Sequence, residues 1–216
     1  ERIMSKPKIA VVGHSDVGKS RLINSLIGSE KMPTSWTPTT AITVYIKHIS
    51  DRPSYIEEEA WVFKASVDNV FGWDDKKLND EEYCRKWKLA GGSADILKNY
   101  GTRQGEMYGK SEAGAAVVFV DSEFLKNCDI VDLPGFGTGD SIEDDAMASR
   151  AKEFADVLIY MSHAGQFLQG TGIEYLKEVI NALKVIEKKN ENSLKPLSNL
   201  FIVASHAHTV DGGNLK

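Results

Sequence analysis

Residues 13–20 carry the clearest chemical signal in the sequence. Gly13 and Gly18 bracket four residues and are followed directly by Lys19 and Ser20, which is the spacing of a loop that wraps around phosphate groups. Glycines let successive backbone N–H groups converge on phosphate oxygens, and a following helix adds the partial positive charge of its N-terminus. We predict that Lys19 reaches the β- and γ-phosphates of a nucleotide and that Ser20 gives its hydroxyl to Mg²⁺.

The residues on either side of this loop predict the elements that position it. Residues 8–12 form a short apolar, β-branched run, which is typical of a buried parallel strand. Residues 20–27 predict a helix, because they carry one apolar stripe and Gly28 stands where helices are often capped. A strand-to-helix turn that binds nothing is the alternative, but this strand and helix favour nucleotide binding. The other predicted nucleotide contacts of the loop are His14, Ser15, Asp16, Val17 and Arg21.

A second candidate site residue is a carboxylate at the end of another apolar strand. Residues 128–131 lead into Asp132, and a Leu-Pro-Gly turn ending at Gly135 follows. We predict that Asp132 holds Mg²⁺ through water and that the N–H of Gly135 meets the γ-phosphate. A strand followed by an ordinary Pro-Gly turn is the alternative interpretation.

A threonine-rich loop at residues 33–41 lies between these two anchors. A threonine hydroxyl there would coordinate Mg²⁺ while its backbone senses the γ-phosphate, so that the loop is ordered only in the triphosphate state. We predict this role for Thr40, with Thr39 as the alternative, and a loop without a ligand as the competing interpretation. Residues 42–47 then alternate strictly, which predicts a strand with one buried face.

Together these motifs resemble those of the dynamin-like GTPases, especially the bacterial dynamin-like and mitofusin branch. The resemblance covers about residues 8–204 and rests on the segments "SLIGSEKMPTSWTPTTAITVYI" and "VVFVDSEFLKNCDIVDLPGFG". The long interval at residues 51–115, between the threonine loop and Asp132, supports it, because small Ras-type domains bridge this interval with a short hairpin.

This resemblance implies an activity and assigns roles to residues. It implies binding of GTP and GDP, Mg²⁺-dependent hydrolysis of GTP, and self-assembly with a second copy or a related dynamin-like partner through the nucleotide face. Membrane remodelling is implied only through parts outside this chain. The implied Mg²⁺ ligands are Ser20, Thr40 and Asp132, and the residues implied in catalysis are Ser15, Asp16, Lys19 and Thr40.

The resemblance also implies that hydrolysis depends on the phosphate loop. Phe136 and Gly137 follow Gly135, so no side chain there can act as the catalytic glutamine of Ras-type proteins. Dynamin-like enzymes use a monovalent cation in place of an arginine finger, and Asp16 matches the loop residue that ligates it, which implies a Na⁺ or K⁺ site. The alternative is that Asp16 caps the turn. Ser15 stands where the family has a glutamine that helps to place the attacking water.

The base-recognition motif departs from the family pattern. Guanine-specific GTPases carry Asn/Thr-Lys-x-Asp after the last strand, here predicted at residues 200–204, whereas this chain has Ser205-His206-Ala207-His208. A neutral imidazole has one acceptor nitrogen, so His208 cannot reproduce the bidentate contact of an aspartate with guanine. Either Asp211 takes its place or base recognition is weak or altered. Two solvent-facing loop histidines are favoured over a His-x-His metal pair.

The order of predicted strands and helices indicates the fold class. Alternation predicts an α/β P-loop NTPase G domain, with a mainly parallel sheet, helices on both faces and ligand at the carboxyl ends of the strands. We predict that residues 1–216 are a single, truncated G domain with an insert at about 51–115. Within the insert, a helix is predicted to stop at Gly91-Gly92, and Ser93 to cap another helix through Tyr100.

Several further elements are predicted from pattern alone. Tryptophans in the insert are interpreted as local core, and these are Trp61, Trp73 and Trp87. The other predicted elements are a loop at 138–143, a helix at 144–154, a strand at 157–161 and a helix at 173–186.

Composition restricts the partners and the cellular location. The net charge of −5 and the lack of a basic stripe argue against nucleic-acid binding. Cys84 and Cys128 have no metal-type spacing and predict reduced thiols in a cytoplasmic protein. No signal peptide is recognised, and the longest apolar runs, 115–120 and 157–161, are too short to span a bilayer. We therefore expect a cytoplasmic protein, and the resemblance implies that its full-length form is peripheral to a membrane.

Two other functions compete with GTP hydrolysis. A pseudo-GTPase that serves as a nucleotide-binding or assembly scaffold is favoured by the altered base motif and by Ser15. An ATP-using P-loop enzyme leaves the threonine loop and the turn after Asp132 unexplained.

Overall fold

The computed structural model describes residues 6–14, 16–33, 42–102, 105–107, 110, 112–134, 155–167, 173, 176–177, 180 and 197–209. Across these ranges the strands are β1 Lys8–Gly13, β2 Thr43–His48, β3 Ala60–Lys64, β4 Ser66–Val67, β5 Val70–Phe71, β6 Lys88–Gly92, β7 Ala113–Val120, β8 Asp129–Asp132, β9 Val157–His163 and β10 Leu200–Ser205. The α-helices are α1 Lys19–Ile27, α2 Glu81–Trp87 and α3 Ile96–Tyr100.

Eight of these strands form one mixed sheet in the order β10-β9-β1-β8-β2-β7-β3-β6. The first four run parallel to one another, and β2 with its parallel neighbour β7 runs in the opposite direction. β3 is antiparallel to β7, and β6 is antiparallel to β3. The predicted α/β fold with a mainly parallel sheet is confirmed.

Helices cover both faces of this sheet, as the sequence predicts. On one face, Val11, Ile46 and Val118 pack with Ile23 of α1 and Leu97 of α3. The opposite face of the antiparallel half packs against α2 and the insert, through an aromatic cluster. The predicted phosphate loop directly joins β1 to α1. Both of these elements are anchored in the core, so they hold the two ends of the loop in place.

β2 corrects the prediction of a strand with one buried face. Both of its faces are covered, since Val44 and Ile46 pack toward α1 while Tyr45 meets the ring of Trp73 edge-on at 5.5 Å. Lys47 is buried on the same face as Tyr45, in ion pairs. Apolar and more polar residues do alternate along β2, but residues of the insert cover its more polar face as well.

The insert at residues 51–115 extends the main sheet, because β3, β6 and the start of β7 lie within it. The helix predicted to stop at Gly91-Gly92 ends earlier, at Trp87, and Lys88–Gly92 form β6 instead. Hydrogen bonding of this segment to β3, with Gly92 opposite Ala60, decides its conformation. The three insert tryptophans are buried, which confirms the interpretation as local core.

Aspartates rather than Ser93 stand at the starts of the insert helices. The Asp80 carboxylate accepts the backbone N–H of Tyr83 at 2.9 Å and caps α2. Asp95 is the residue that precedes α3, and Ser93 contributes only its backbone carbonyl, which accepts the N–H of Ile96. The prediction that Ser93 caps this helix through its side chain is therefore wrong.

Several later predictions fall partly or wholly outside the described residues. The loop at 138–143 and the helix at 144–154 lie outside them entirely. Of the helix predicted at 173–186, the described residues Ile173, Leu176, Lys177 and Ile180 are helical. Leu176 and Ile180 pack on the sheet face formed by β1, β8 and β9. Within the described ranges, none of the helices combines the length and apolarity required to cross a bilayer.

Glu58 links the edge strand β6 to β3 and predicts a pH effect on stability. Its carboxylate accepts the indole N–H of Trp61 at 2.8 Å and the ammonium of Lys88 at 2.9 Å. The hydrogen bond from Trp61, followed by that from Lys88, lowers the pKa of Glu58 from 4.5 to about 2. The folded state therefore favours the ionised carboxylate more than the unfolded state does.

We expect this contribution to stability to be complete above pH 4.5 and to disappear as the pH falls toward 2, where Glu58 is protonated in both states. Glu58→Gln should therefore flatten the fall in the free energy of unfolding across that interval. Urea unfolding at a series of pH values measures this. Glu57→Gln, a change of the exposed neighbour, is the matched control, and equal acid sensitivity of both variants and the unaltered protein would contradict the assignment.

Candidate nucleotide-binding site

The carboxyl end of β1 meets its neighbours so closely that only glycine fits. A Cβ atom on Gly13 would lie 2.4 Å from the carbonyl oxygen of Met161 on β9, which is far inside van der Waals contact. Gly13 pairs with Met161 in the sheet register. The first glycine of the motif therefore fixes the point at which the chain leaves the sheet.

The loop that follows turns back on itself through two left-handed residues. Asp16 has a φ of 67° and Gly18 a φ of 90°, a region that glycine adopts freely and aspartate tolerates better than most residues. A Cβ on Gly18 would meet no atom within 4 Å, so the backbone conformation, not crowding, selects glycine there. Val17 is buried between them and ties the loop to the core.

Lys19 and Ser20 begin α1 and are both buried. The Lys19 ammonium lies 3.3 Å from the carbonyl oxygens of Gly13 and His14. Its charge is thus held inside the curve of the loop, beside the N-terminus of α1. Because a helix N-terminus carries partial positive charge, this arrangement concentrates positive potential in one small concavity.

Asp132 ends β8 at the same edge of the sheet and is completely buried. It lies opposite Val11 of β1 on one side and opposite Val44 of β2 on the other. β2 therefore starts at this edge, beside Asp132. Buried hydroxyl and carboxylate oxygens from Ser20 and Asp132 are the hard donors that Mg²⁺ prefers.

Asn24 of α1 anchors the chain just before the threonine loop, a role the sequence did not reveal. Its amide nitrogen donates to the Met32 carbonyl at 2.9 Å and to Glu30 at 3.0 Å, and its carbonyl accepts the Met32 N–H at 2.8 Å. Nearby, Lys31 forms an ion pair with Glu59, the residue before β3. The available signal in the sequence was an asparagine next to Ile23 on a predicted helix.

Side chains at the ends of β9 and β10 form a cluster next to the phosphate loop. Ser205 lies opposite His163 in the sheet register, and its hydroxyl donates to the Ser162 carbonyl at 3.3 Å. The rings of His163 and His206 are stacked, with centroids 4.8 Å apart and planes 13° apart. The His206 and His208 centroids are 6.2 Å apart. His206 is half-buried, so the expectation of two solvent-facing histidines holds only for His208.

Burial, together with the neighbouring His163, His208 and Arg21, lowers the pKa of His206 below its usual value. Arg21 lies on the first turn of α1, so the histidine cluster and the phosphate loop share one electrostatic environment. Within the described part of the chain, no group of three or more His, Cys, Asp or Glu side chains is arranged to hold a metal ion.

The sequence profile of the dynamin family matches residues 9–186. The chain belongs to the dynamin family. It is similar in fold to two solved chains from a study of an oligomerised bacterial dynamin pair, described as providing a mechanism for long-range sensing and tethering of membranes. The first has a TM-score of 0.60 at 19% identity, and the second a TM-score of 0.51 at 16% identity.

These alignments cover 100% and 98% of this chain but only 29% and 27% of the two solved chains. This dynamin-family chain thus spans less than a third of their length. No curated protein sequence matches it.

In this dynamin-family structure all twelve of the predicted site residues that are described lie at one edge of the sheet. They are Gly13, His14, Asp16, Val17, Gly18, Lys19, Ser20, Arg21, Asp132, Ser205, His206 and His208. The Asp16 side chain is exposed and makes no hydrogen bond or ion pair with a described residue, so the alternative in which it caps the turn finds no contact here. The predicted residues that lie outside the described ranges are Ser15, Thr39, Thr40, Gly135, Phe136, Gly137 and Asp211.

Proposed function

We propose that this dynamin-family domain binds GTP together with Mg²⁺ and hydrolyses it, and that hydrolysis is coupled to self-assembly and to membrane remodelling. The observation that carries the proposal is the buried ammonium of Lys19, held 3.3 Å from two carbonyl oxygens of a loop with left-handed Asp16 and Gly18. A cation enclosed in this way beside a helix N-terminus is suited to a polyphosphate, because several N–H donors and one positive charge face the same small volume.

Two residues at this edge fit Mg²⁺. Ser20 offers a hydroxyl and Asp132 a carboxylate, both buried, and oxygen donors of this type suit a hard cation. When bound, Mg²⁺ would neutralise charge on the phosphate oxygens. In the proposal Thr40 adds a third ligand from the threonine loop, with Thr39 as the alternative, and the N–H of Gly135 meets the γ-phosphate.

The remaining catalytic roles are proposals based on family membership. Asp16 would ligate a K⁺ or Na⁺ ion, and its exposed carboxylate is accessible for this. Ser15 would help to place the attacking water. Equal rates of hydrolysis in Na⁺, K⁺ and choline buffers would remove the monovalent cation from the proposal.

Assembly is proposed through the nucleotide face, with a second copy of this chain or a related dynamin-like protein as the partner. The similar solved chains belong to an oligomerised pair. In this proposal the protein is cytoplasmic, and contact with lipid is made by parts of the protein outside this chain.

One observation favours a second candidate function, a nucleotide-binding or assembly scaffold with little turnover. His208 stands at the position of the guanine-binding aspartate, so either Asp211 takes its place or the affinity and specificity for the base are altered. Ser15, which stands in place of the glutamine expected in the family, also favours a scaffold with little turnover.

Phosphate release from GTP, measured with Mg²⁺ or EDTA over a range of protein concentrations, separates the two functions. An enzyme that assembles through its nucleotide face should show Mg²⁺-dependent turnover that rises more steeply than linearly with protein concentration. Asp132→Asn keeps the size of the side chain but removes its charge. It should lower the affinity for Mg²⁺, so that turnover requires a higher Mg²⁺ concentration. Tight GTP binding without turnover at any protein concentration would favour the scaffold.

A further inference from the structure

A short hairpin of the insert leaves the sheet at the same edge as the phosphate loop. β1 and β8 both end at this edge, and β2, which is antiparallel to β8, begins there. β7 runs parallel to β2 and begins there as well, and β3, which is antiparallel to β7, ends there at Lys64. After one further residue, β4 and β5 form the insert hairpin, residues 66–71. The insert hairpin therefore lies at the nucleotide face.

The outer strand of the insert hairpin carries the two most exposed large apolar side chains among the described residues. Val70 is 57% exposed and Phe71 is 67% exposed. Neighbouring residues of a strand point to opposite faces, so β5 is open to solvent on both faces. Val67 of β4, in contrast, packs against the aromatic cluster beside α2. The apolar surface of β5 thus contributes little to the core of this chain and is accessible to a partner.

Local bonds hold the insert hairpin in one conformation. Its turn residues Asp68 and Asn69 have φ angles of 48° and 63°, the left-handed pair that matches the twist of a two-residue hairpin. The Asp68 carboxylate forms an ion pair with Lys86 of α2. At the base of the hairpin, the Gly72 N–H donates to the Ala65 carbonyl at 2.9 Å. A preformed hairpin presents its side chains without the entropic cost of ordering a loop.

We propose that the insert hairpin is part of the interface between two copies of this chain, with Val70 and Phe71 buried against the partner copy. The inference rests on the proposed function and deepens it, because it names apolar residues outside the nucleotide site that hold the assembled pair together. Assembly then depends on the insert as well as on bound nucleotide.

The distance across the sheet is consistent with one continuous interface. β3 lies three strands away from β8 in the sheet order, which corresponds to about 14 Å at a spacing of about 4.8 Å per strand. A stable pair buries about 800 Å² on each partner, and a circular patch of that area has a radius of about 16 Å. An interface centred on Asp132 at the end of β8 therefore reaches the insert hairpin.

The charge of the insert hairpin favours a second copy over a lipid surface. Asp68 is its only charged residue, and Lys86 compensates this charge. Apolar side chains that enter a bilayer surface are usually accompanied by lysines and arginines, which attract anionic lipids. A neutral apolar patch that contains an aromatic ring is instead typical of the core of a protein interface.

Sedimentation velocity with a non-hydrolysable GTP analogue and Mg²⁺, over a range of protein concentrations, tests the inference. A symmetric pair contains two copies of the hairpin, so a substitution there acts twice. Phe71→Ser should raise the dissociation constant of the pair by about a hundredfold, since each lost aromatic contact accounts for about tenfold. Val70→Ser, which removes a smaller side chain, should raise it by about tenfold. Phe71→Leu keeps an apolar side chain and should retain most of the association.

Ile49→Ser is the matched control for the loss of an exposed apolar side chain. Ile49 is exposed, but it follows β2 at the opposite edge of the sheet, so its substitution should leave the dissociation constant of the pair unchanged. All four variants should bind a fluorescent form of the analogue as tightly as the unaltered protein does at concentrations too low for pairing. Their urea midpoints should also be unchanged, because these side chains lie at the surface.

The outcomes separate this inference from the function on which it rests. If the unaltered protein pairs and both serine variants of the hairpin pair equally well, the inference is overturned and assembly stands. Equal losses in Phe71→Ser and Ile49→Ser also overturn it, since position on the sheet edge then has no effect. Flotation with phosphatidylglycerol vesicles that is lost in Phe71→Ser would assign the insert hairpin to a lipid surface instead. If the unaltered protein does not bind the analogue, or binds it without pairing, the proposed function fails at that step and the inference fails with it.

Discussion

Lys19→Ala should weaken the binding of GTP by about a hundredfold or more. The ammonium of Lys19 is buried and lies 3.3 Å from the carbonyl oxygens of Gly13 and His14, so it is already positioned inside the loop that would hold the phosphates. Charge-assisted hydrogen bonds contribute about 1.5–3 kcal/mol each, and loss of two of them corresponds to a factor of roughly a hundred to more than ten thousand.

Two controls separate binding from folding in this experiment. Lys98→Ala removes an exposed lysine of α3 whose ion pair is with Asp95, three residues earlier, and it should leave GTP affinity unchanged. Urea unfolding of Lys19→Ala should show a loss of no more than about 2 kcal/mol, since the two carbonyls that it contacts can be solvated. A stable, folded Lys19→Ala protein with undiminished affinity for GTP and tripolyphosphate would show that the loop does not hold phosphate.

The strand, turn and helix of the predicted phosphate loop could be predicted from sequence because their determinants are local. β1, the two glycines and α1 follow one another within residues 8–28, and each has its own signal in strand composition, turn residues and helical periodicity. The structure confirms the predicted cap, with Gly28 at a φ of 67° and its N–H bonded to the carbonyl of Asn24. Asp132 was predictable for the same reason, as the polar end of an apolar strand.

The insert could not be predicted as well, because its conformation depends on distant partners. Residues 88–92 have a helical context on their N-terminal side, yet they pair with β3, where the partners range from Phe63 opposite Lys88 to Ala60 opposite Gly92. The same distance effect hides the partial burial of Tyr45, whose ring packs edge-on against Trp73. Propensity and periodicity report on neighbours in sequence, whereas sheet pairing is decided by neighbours in space.

His163 illustrates the limit for the site itself. From sequence it is the last residue before a Gly-containing turn, and nothing there indicates a neighbour 43 residues later. The parallel register of β9 and β10 brings it opposite Ser205 and against the ring of His206. The available signal in the sequence was a histidine at the carboxyl end of a predicted strand. Its neighbours can be identified only when the order of β1, β9 and β10 is known.

The opposite edge of the sheet is held by a buried ionic network. Lys47 of β2 lies 2.5 Å from the Asp129 carboxylate and 3.7 Å from Asp75, and Lys8 of β1 lies 2.6 Å from Asp75. These four side chains are each at most 13% exposed. The network connects the first strand, the antiparallel half of the sheet and the insert, through its 3-10 turn Asp75–Lys77.

Asp129→Ala should lower the free energy of unfolding by about 3–5 kcal/mol, because it leaves two buried ammonium groups facing one carboxylate. Chemical unfolding with an unchanged m-value measures this loss. Glu81→Ala, which removes an exposed pair with Arg85 on α2, should cost less than about 0.5 kcal/mol. The double change Lys47→Met with Asp129→Leu removes both charges and should be less destabilised than Asp129→Ala, since no ion is left unpaired.

The position of this network gives the experiment a second readout. Asp129 and Lys8 are opposite each other at the amino ends of β8 and β1, whereas Asp132 and Gly13 stand at their carboxyl ends. The folded fraction of Asp129→Ala should therefore bind GTP within about twofold of the unaltered protein, because changes at sites without shared partners are close to additive. A loss of affinity in step with the loss of stability would instead mean that the two edges of the sheet are coupled, and that the insert, through Asp75, acts on the phosphate loop.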